Sequence, residues 1–236
     1  MCDKLLRACY HFLMIPNYLD KSFHVSMGIS LIVFALAGVV WIFLPLALFY
    51  IITLVIFRRK HSPYKDNVVN RSEDMVYAPA NARIVSVKKS VDHVIFGKNL
   101  IEIQMGIPWW SEAGLYLPVK SEVKDFQFKD GKSVFRFNSK PLADQSNISL
   151  SGISLSLETT KNQFIGIQLI KCVLGQWPEL IVMPGDKGKE RANIGFFPFG
   201  GTVVLFLPDN YDILTKENNE VIAGETVIAK DIQVNQ

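Results

Sequence analysis

Two hydrophobic patterns divide this chain. From Val25 to Phe57, 33 residues pass without a charged side chain. From Val76 onward, apolar and polar residues alternate in short runs. A continuous helix over the first stretch would be roughly 50 Å long, against roughly 30 Å of bilayer hydrocarbon. The excess predicts two transmembrane helices over residues 23–57 joined by a tight turn. Gly38 and Pro45 lie near the middle, where that turn would fall. A single tilted span is the alternative reading.

The second pattern has a period of two and predicts strands. Ala82–Val87, Leu100–Met105 and Ser133–Phe137 alternate, the last after a turn at Asp130-Gly131. Ile148–Leu157 alternates apolar residues with Ser, and Gly152 reads as a bulge. Phe164–Ile170 and Val203–Leu207 are apolar enough to be buried strands. Val221–Ala229 reads as strand, turn, strand. The fold class is therefore mainly β: an antiparallel β domain over residues 77–236, preceded by a polar linker over 58–76 and an N-terminal α-helical hairpin. Residues 1–22 are expected to form an interfacial helix, with Leu5, Leu6, Phe12 and Leu13 against lipid.

Charge places this arrangement in a membrane. Lys4, Arg7 and Lys21 precede the apolar run, and Arg58, Arg59, Lys60 and Lys65 follow it. Basic residues at both ends favour the cytoplasmic side, which puts the N-terminus and the β domain on the same face of a bacterial inner membrane or its equivalent. Arg58, Arg59 and Lys60 also suit anionic headgroups. The net charge of +3 comes without a basic stripe interleaved with aromatics, which argues against nucleic-acid binding. Cys2, Cys9 and Cys172 match no zinc or redox spacing, and His11, His24, His61 and His93 form no ligand pattern, so no metal is expected.

Four segments carry a resemblance. They are Phe57-Arg58-Arg59-Lys60-His61-Ser62-Pro63, Tyr77-Ala78-Pro79-Ala80-Asn81-Ala82-Arg83-Ile84-Val85, the run Asn193 to Pro208 around Gly200-Gly201-Thr202, and Glu220 to Ala229. In order and spacing they resemble the phosphatidylserine decarboxylases of the small, archaeal type. The resemblance covers essentially the whole chain. It implies a self-cleaving proenzyme in which an Asp-His-Ser set generates a pyruvoyl cofactor. The serine attacks the preceding carbonyl, the His is its base, and the Asp polarises the His. The pyruvoyl ketone then serves as electron sink for loss of carbon dioxide.

The positions that the resemblance assigns to this chemistry are altered. The Asp falls on Asn81, which is nearly isosteric but neutral. The His falls on Ala113, counted back from Pro118-Val119, and no His follows His93. The Ser falls on Gly201, which has no hydroxyl to attack with and no β-oxygen to eliminate. Thr202 and the pair Ser111-Glu112 are the substitutes the sequence offers. Thr202 already corresponds to a Thr of the family, and a Ser-Glu pair is common on any loop.

The expectation is a membrane-anchored pseudoenzyme without a pyruvoyl group. It would bind membrane phospholipid or serve with protein partners in a membrane or envelope complex. A divergent active decarboxylase and a purely structural membrane adaptor are the alternatives. Trp109 and Trp110 are read either as an interfacial loop beside the mouth of the old site or as core residues. Phe196-Phe197-Pro198-Phe199 is read as core.

Overall fold

The computed structural model describes residues 19, 21–57, 74–108, 111–133, 150–173 and 175–232. The expected interfacial helix before residue 19, the cluster Arg58-Arg59-Lys60, most of the linker, Trp109, Trp110 and the strand expected over Ser133–Phe137 lie outside the described residues, save Ser133 itself. The chain divides into two units, Met1–His61 and Ser62–Gln236.

The first unit is a helical hairpin of α1 (Lys21–Leu36) and α2 (Val40–Ile56). Gly38 makes the turn at φ 69, a conformation open to a residue without Cβ. Pro45 lies inside α2 instead. Its fixed φ is helical, so it costs the helix a hydrogen bond without reversing the chain. The expectation of two membrane spans needs correction. The arms have 16 and 17 residues. These rise roughly 24 and 26 Å, short of the roughly 30 Å of hydrocarbon. No helix among the described residues is long and apolar enough to cross a membrane, because the turn takes residues that two full spans would need. The hairpin surface is nonetheless apolar, with Leu36, Trp41, Leu44 and Leu48 exposed. His24 Nδ1 and Tyr50 Oη meet at 2.9 Å and tie the two helices together.

The second unit is built from β1 (Met75–Tyr77), β2 (Ala82–His93), β3 (Gly97–Ile107), β4 (Gly114–Tyr116), β5 (Ser121–Lys129), β6 (Gly152–Thr159) and β7 (Phe164–Lys171). It continues with β8 (Glu179–Leu180), β9 (Lys187–Gly188), β10 (Asn193–Phe196), β11 (Gly201–Pro208), β12 (Tyr211–Ile213), β13 (Glu220–Val221) and β14 (Val227–Asp231). An eight-stranded sheet runs β13-β2-β3-β11-β7-β6-β5-β9, beside the three-stranded sheets β1-β14-β12 and β4-β10-β8. The mainly antiparallel β domain is as the alternation predicts.

The period of two sorts the large sheet into faces. Ile101, Ile103 and Met105 on β3, Val203, Leu205 and Leu207 on β11, and Ile153, Leu155 and Leu157 on β6 enter the main core. Leu100, Ile170, Val204 and Phe206 form a smaller cluster on the opposite face. There the His93, Phe96 and Phe206 rings form a triangle, with His93 at centroid distances of 4.7 and 4.6 Å from the other two. Burial and the charge of Lys129 hold the His93 pKa below its ordinary value. Lys161 Nζ fastens the β6–β7 turn to the outer strands, donating to Asp74 Oδ1 at 2.7 Å and Asp231 Oδ2 at 2.9 Å.

Two local expectations change. The linker ends earlier, since Met75 and Val76 already pair with β14. The segment Val221–Ala229 is strand, turn, strand as expected, and its two strands part: β13 pairs with β2, and β14 pairs with β1 and β12. Gly152 is not a bulge, because it opens a regular ladder opposite Lys129 and Ile170. Its glycine serves close approach, since a Cβ there would lie 2.2 Å from the Leu169 carbonyl oxygen. Gly152→Ala should therefore lower stability by about 1–3 kcal/mol, as overpacking against backbone does. Equilibrium urea unfolding measures the loss, and a neutral result would return Gly152 to a relaxed site.

Candidate functional site

Segments far apart in sequence meet at one end of the large sheet. In its ladders Gly201 opens β11 opposite Ile107 at the end of β3 and Lys171 at the end of β7. The next row joins Arg83, Gly106 and Thr202. Asn81, just before β2, and Gly201 therefore stand at the same end.

Backbone hydrogen bonds weave the remaining segments around them. Tyr116 N–H donates to Pro79 O, Gly224 N–H to Ala78 O, and Ala78 N–H to Thr226 O. Phe197 N–H donates to Ala113 O at 2.7 Å. Asn81, Ala113 and Gly201, assigned from three separate stretches of sequence, thus belong to one neighbourhood.

Gly201 has no free space above it. A Cβ built there would lie 2.4 Å from Phe197 Cζ, 2.7 Å from Phe197 Cε1 and 2.8 Å from the Ile170 carbonyl oxygen. Phe197 is fully buried, so its ring cannot swing into solvent. The obstacle is steric and not a left-handed backbone, because Gly201 is in an extended strand. The left-handed residues precede it: Phe199 at φ 58 and Gly200 at φ 72. Gly200 N–H closes that turn onto Phe197 O at 3.1 Å, with Pro198 preset for the second turn position. A Cβ on Gly200 would meet the Ile107 carbonyl oxygen at 2.4 Å.

Thr202 does not substitute for a serine at 201. Adjacent strand residues point to opposite faces. Position 201 faces Phe197 and the main core, as Val203 does. Thr202 pairs with Ile170, which belongs to the cluster on the other face.

Asn81 is held at both ends of its amide. Its Oδ1 accepts from Ala223 N–H at 2.8 Å, and its Nδ2 donates to Glu112 Oε2 at 2.8 Å. Glu112 Oε1 accepts from Tyr116 Oη at 2.9 Å. Glu112 and Tyr116 are both buried. A buried carboxyl needs such donors, since an unpaired one costs several kcal/mol. An aspartate at position 81 would bring a second carboxyl against Glu112, and like charges at that range cannot both ionise freely. The amide is thus matched to its neighbour.

Ser111 Oγ donates to Pro108 O at 2.9 Å and caps its own turn. From the sequence, Glu112 stands with Ser111 in a common loop pair, Phe197 falls in a run read as core, and Tyr116 carries no signal. The i to i+4 spacing of Glu112 and Tyr116 beside Asn81's partner segment was no signal without the fold.

A model of the phosphatidylserine decarboxylase family matches residues 115–229. Curated relatives extend the similarity toward the N-terminus. A phosphatidylserine decarboxylase proenzyme of Porphyromonas gingivalis is 23% identical over 209 residues, covering 86% of this chain and 90% of its own length. Those of Parabacteroides distasonis and Chlorobaculum tepidum are each 24% identical, covering 67% and 77% of this chain and 70% and 79% of their own lengths. The chain is thus similar to phosphatidylserine decarboxylases over most of its length.

The pyruvoyl group that the family resemblance implies would arise from a side chain at position 201. The residues present do not fit it. The nearest atoms leave no room for a β-substituent on Gly201, and two of the three contacts are with a buried aromatic ring.

Gly201→Ser should destabilise the β unit by about 1–3 kcal/mol. Phe197→Ala alone should cost about 3–5 kcal/mol. The double variant should lose at least ~1 kcal/mol less than the two single losses combined, because the cavity accepts the added side chain. Urea unfolding of the four proteins gives the coupling, and strict additivity would show that the ring and position 201 are independent.

Proposed function

We propose that this chain is a membrane-anchored, phosphatidylserine-decarboxylase-like pseudoenzyme that binds phospholipid without forming a pyruvoyl group. The observation that carries the reading is Gly201 under the buried Phe197 ring. It removes both the nucleophile and the space a nucleophile would occupy. Asn81, matched to Glu112, and Ala113, with no imidazole, complete the same picture. A protein that keeps this fold without its chemistry retains the capacity to recognise phospholipid and to present that surface to protein partners in a membrane complex.

In this reading the hairpin of α1 and α2 embeds in the bilayer from one side and returns to it. An apolar surface and a sharp Gly38 turn suit that placement better than two complete spans do. The basic residues at both ends keep the N-terminus and the β unit on the cytoplasmic side.

Two measurements test the proposal. The purified chain should show the unbroken mass of 26.6 kDa after prolonged incubation, and Gly201→Ser should remain unbroken too. Two fragments meeting at Gly201 or Thr202, with a keto-acid at the new N-terminus, would overturn the pseudoenzyme reading. Impermeant thiol labelling of single cysteines placed at residues 5 and 150 should report the same side of the membrane. Labelling from opposite sides would replace the hairpin by a single crossing.

A further inference from the structure

The fold leaves the outer edge of β5 open. β5 lies between β6 and β9, and β9 covers only Ser121 and Glu122. Val123 still bonds to the chain beside it, accepting from Gly185 N–H and donating to Asp186 O. Past that point the ladder to β6 shifts register, between Val123 and Asp125. From Lys124 to Lys132 every residue except the half-buried Phe126 is exposed.

The ladders fix which backbone groups face outward. Lys171 N–H donates to Ser151 O, and Thr159 N–H donates to Gln163 O. In an antiparallel sheet the backbone groups of successive residues turn to opposite neighbours. From Ser151 to Thr159, odd-numbered residues therefore turn to β7 and even-numbered ones to β5. Gln127 pairs with Ser154, Asp125 with Ser156 and Lys129 with Gly152. Those three residues of β5 bond inward to β6. The N–H and C=O groups of Phe126 and Phe128 point out of the edge.

Such an edge is a template for another strand, and the sequence along it complements itself. Let two copies meet antiparallel about a two-fold axis at Gln127. Phe126 then stands opposite the partner's Phe128, and Asp125 opposite the partner's Lys129. The outward-facing residues exchange N–H···O bonds, while aromatic rings and opposite charges meet across the strands. An axis one residue to either side would set Asp125 opposite the partner's Gln127 or the partner's Gly131, leaving the charges unmatched. Within one chain these groups are available. Phe128 is 65% exposed, with Phe126 edge-on at 5.5 Å and Trp177 at 6.5 Å between ring centroids. Asp125 Oδ2 accepts from the neutral Gln127 amide at 3.1 Å, and the Lys129 charge acts on His93. Neither Asp125 nor Lys129 forms an ion pair among the described residues.

We propose that β5 is a self-association edge. Two copies of this chain join through residues 125–129, antiparallel and centred on Gln127, so that the large sheet of one copy continues into that of the other. The contact is isologous: each copy presents the same strand and receives the same strand. It goes beyond the phospholipid-binding reading and does not depend on it.

The test uses the full chain in detergent micelles, with Cys2, Cys9 and Cys172 replaced by serine and single cysteines placed on β5. In the proposed pairing Gln127 faces its own counterpart with Cα atoms roughly 4.5 Å apart, within reach of a disulfide. Asp125 lies roughly 13 Å along the strands from its counterpart. Under mild oxidation Gln127→Cys should cross-link two copies, and Asp125→Cys should not. A mixture of Asp125→Cys and Lys129→Cys chains should give the mixed dimer. Equal cross-linking at 125 and 127, or none at 127, overturns the proposal.

Charge reversal gives a second readout. In the Gln127→Cys chain, Asp125→Lys sets lysine opposite lysine and should slow cross-linking at least about fivefold. Adding Lys129→Asp should restore the rate, which a strand merely damaged by substitution would not do. An unchanged rate in the Asp125→Lys chain, as a dimer held through the hairpin would give, overturns the proposal as well.

Discussion

The packing of the Phe197 ring over Gly201 organises the functional end of this molecule. The ring fills the core side of β11 where a side chain at 201 would stand, and it is buried from every direction. Its backbone is pinned to Ala113 through a hydrogen bond, and its carbonyl closes the turn that sets Gly200 and Phe199 in left-handed conformations. A larger residue at 201, a rigid turn elsewhere, or a side chain on Gly200 would each disturb the same contact. A hydroxyl at 201 would therefore need more than a point change, because neighbouring atoms occupy its place.

A second constraint surrounds the first. The buried carboxyl of Glu112 is satisfied by Asn81 and Tyr116, and Asn81 in turn holds the Ala223 amide. This network joins the segment before β2, the segment before β4 and the turn before β14. Each polar atom in it answers a partner, which is the condition for keeping a carboxyl in the core. The network is built for an amide at position 81. Asn81 and Gly201, on which the proposed reading turns, are also residues on which the packing depends.

The two units of the chain follow different physics. In the hairpin, apolar side chains point outward and only a few contacts such as His24–Tyr50 join the arms. In the β unit most large apolar side chains point inward, as Ile103, Leu155 and Val203 do. The first pattern leaves its apolar surface outside, and the second encloses most of it.

Alternation alone determined much of the β architecture. The strands over Ala82–Val87, Leu100–Met105, Phe164–Ile170 and Val203–Leu207 were legible because a half-buried strand must place like residues two apart. The family resemblance was legible because motifs are local. The apolar run from Val25 to Phe57 announced a hairpin but not the length of its arms, since hydropathy does not say how many residues a turn consumes. Only tertiary structure decided that β13 and β14 part to different sheets, that Gly152 admits a carbonyl instead of a bulge, and that Thr202 faces away from the site. It alone put the Phe197 ring over Gly201 and Glu112 against Asn81. Those contacts join residues distant in sequence, and no local pattern of side chains records which distant atoms will share a volume.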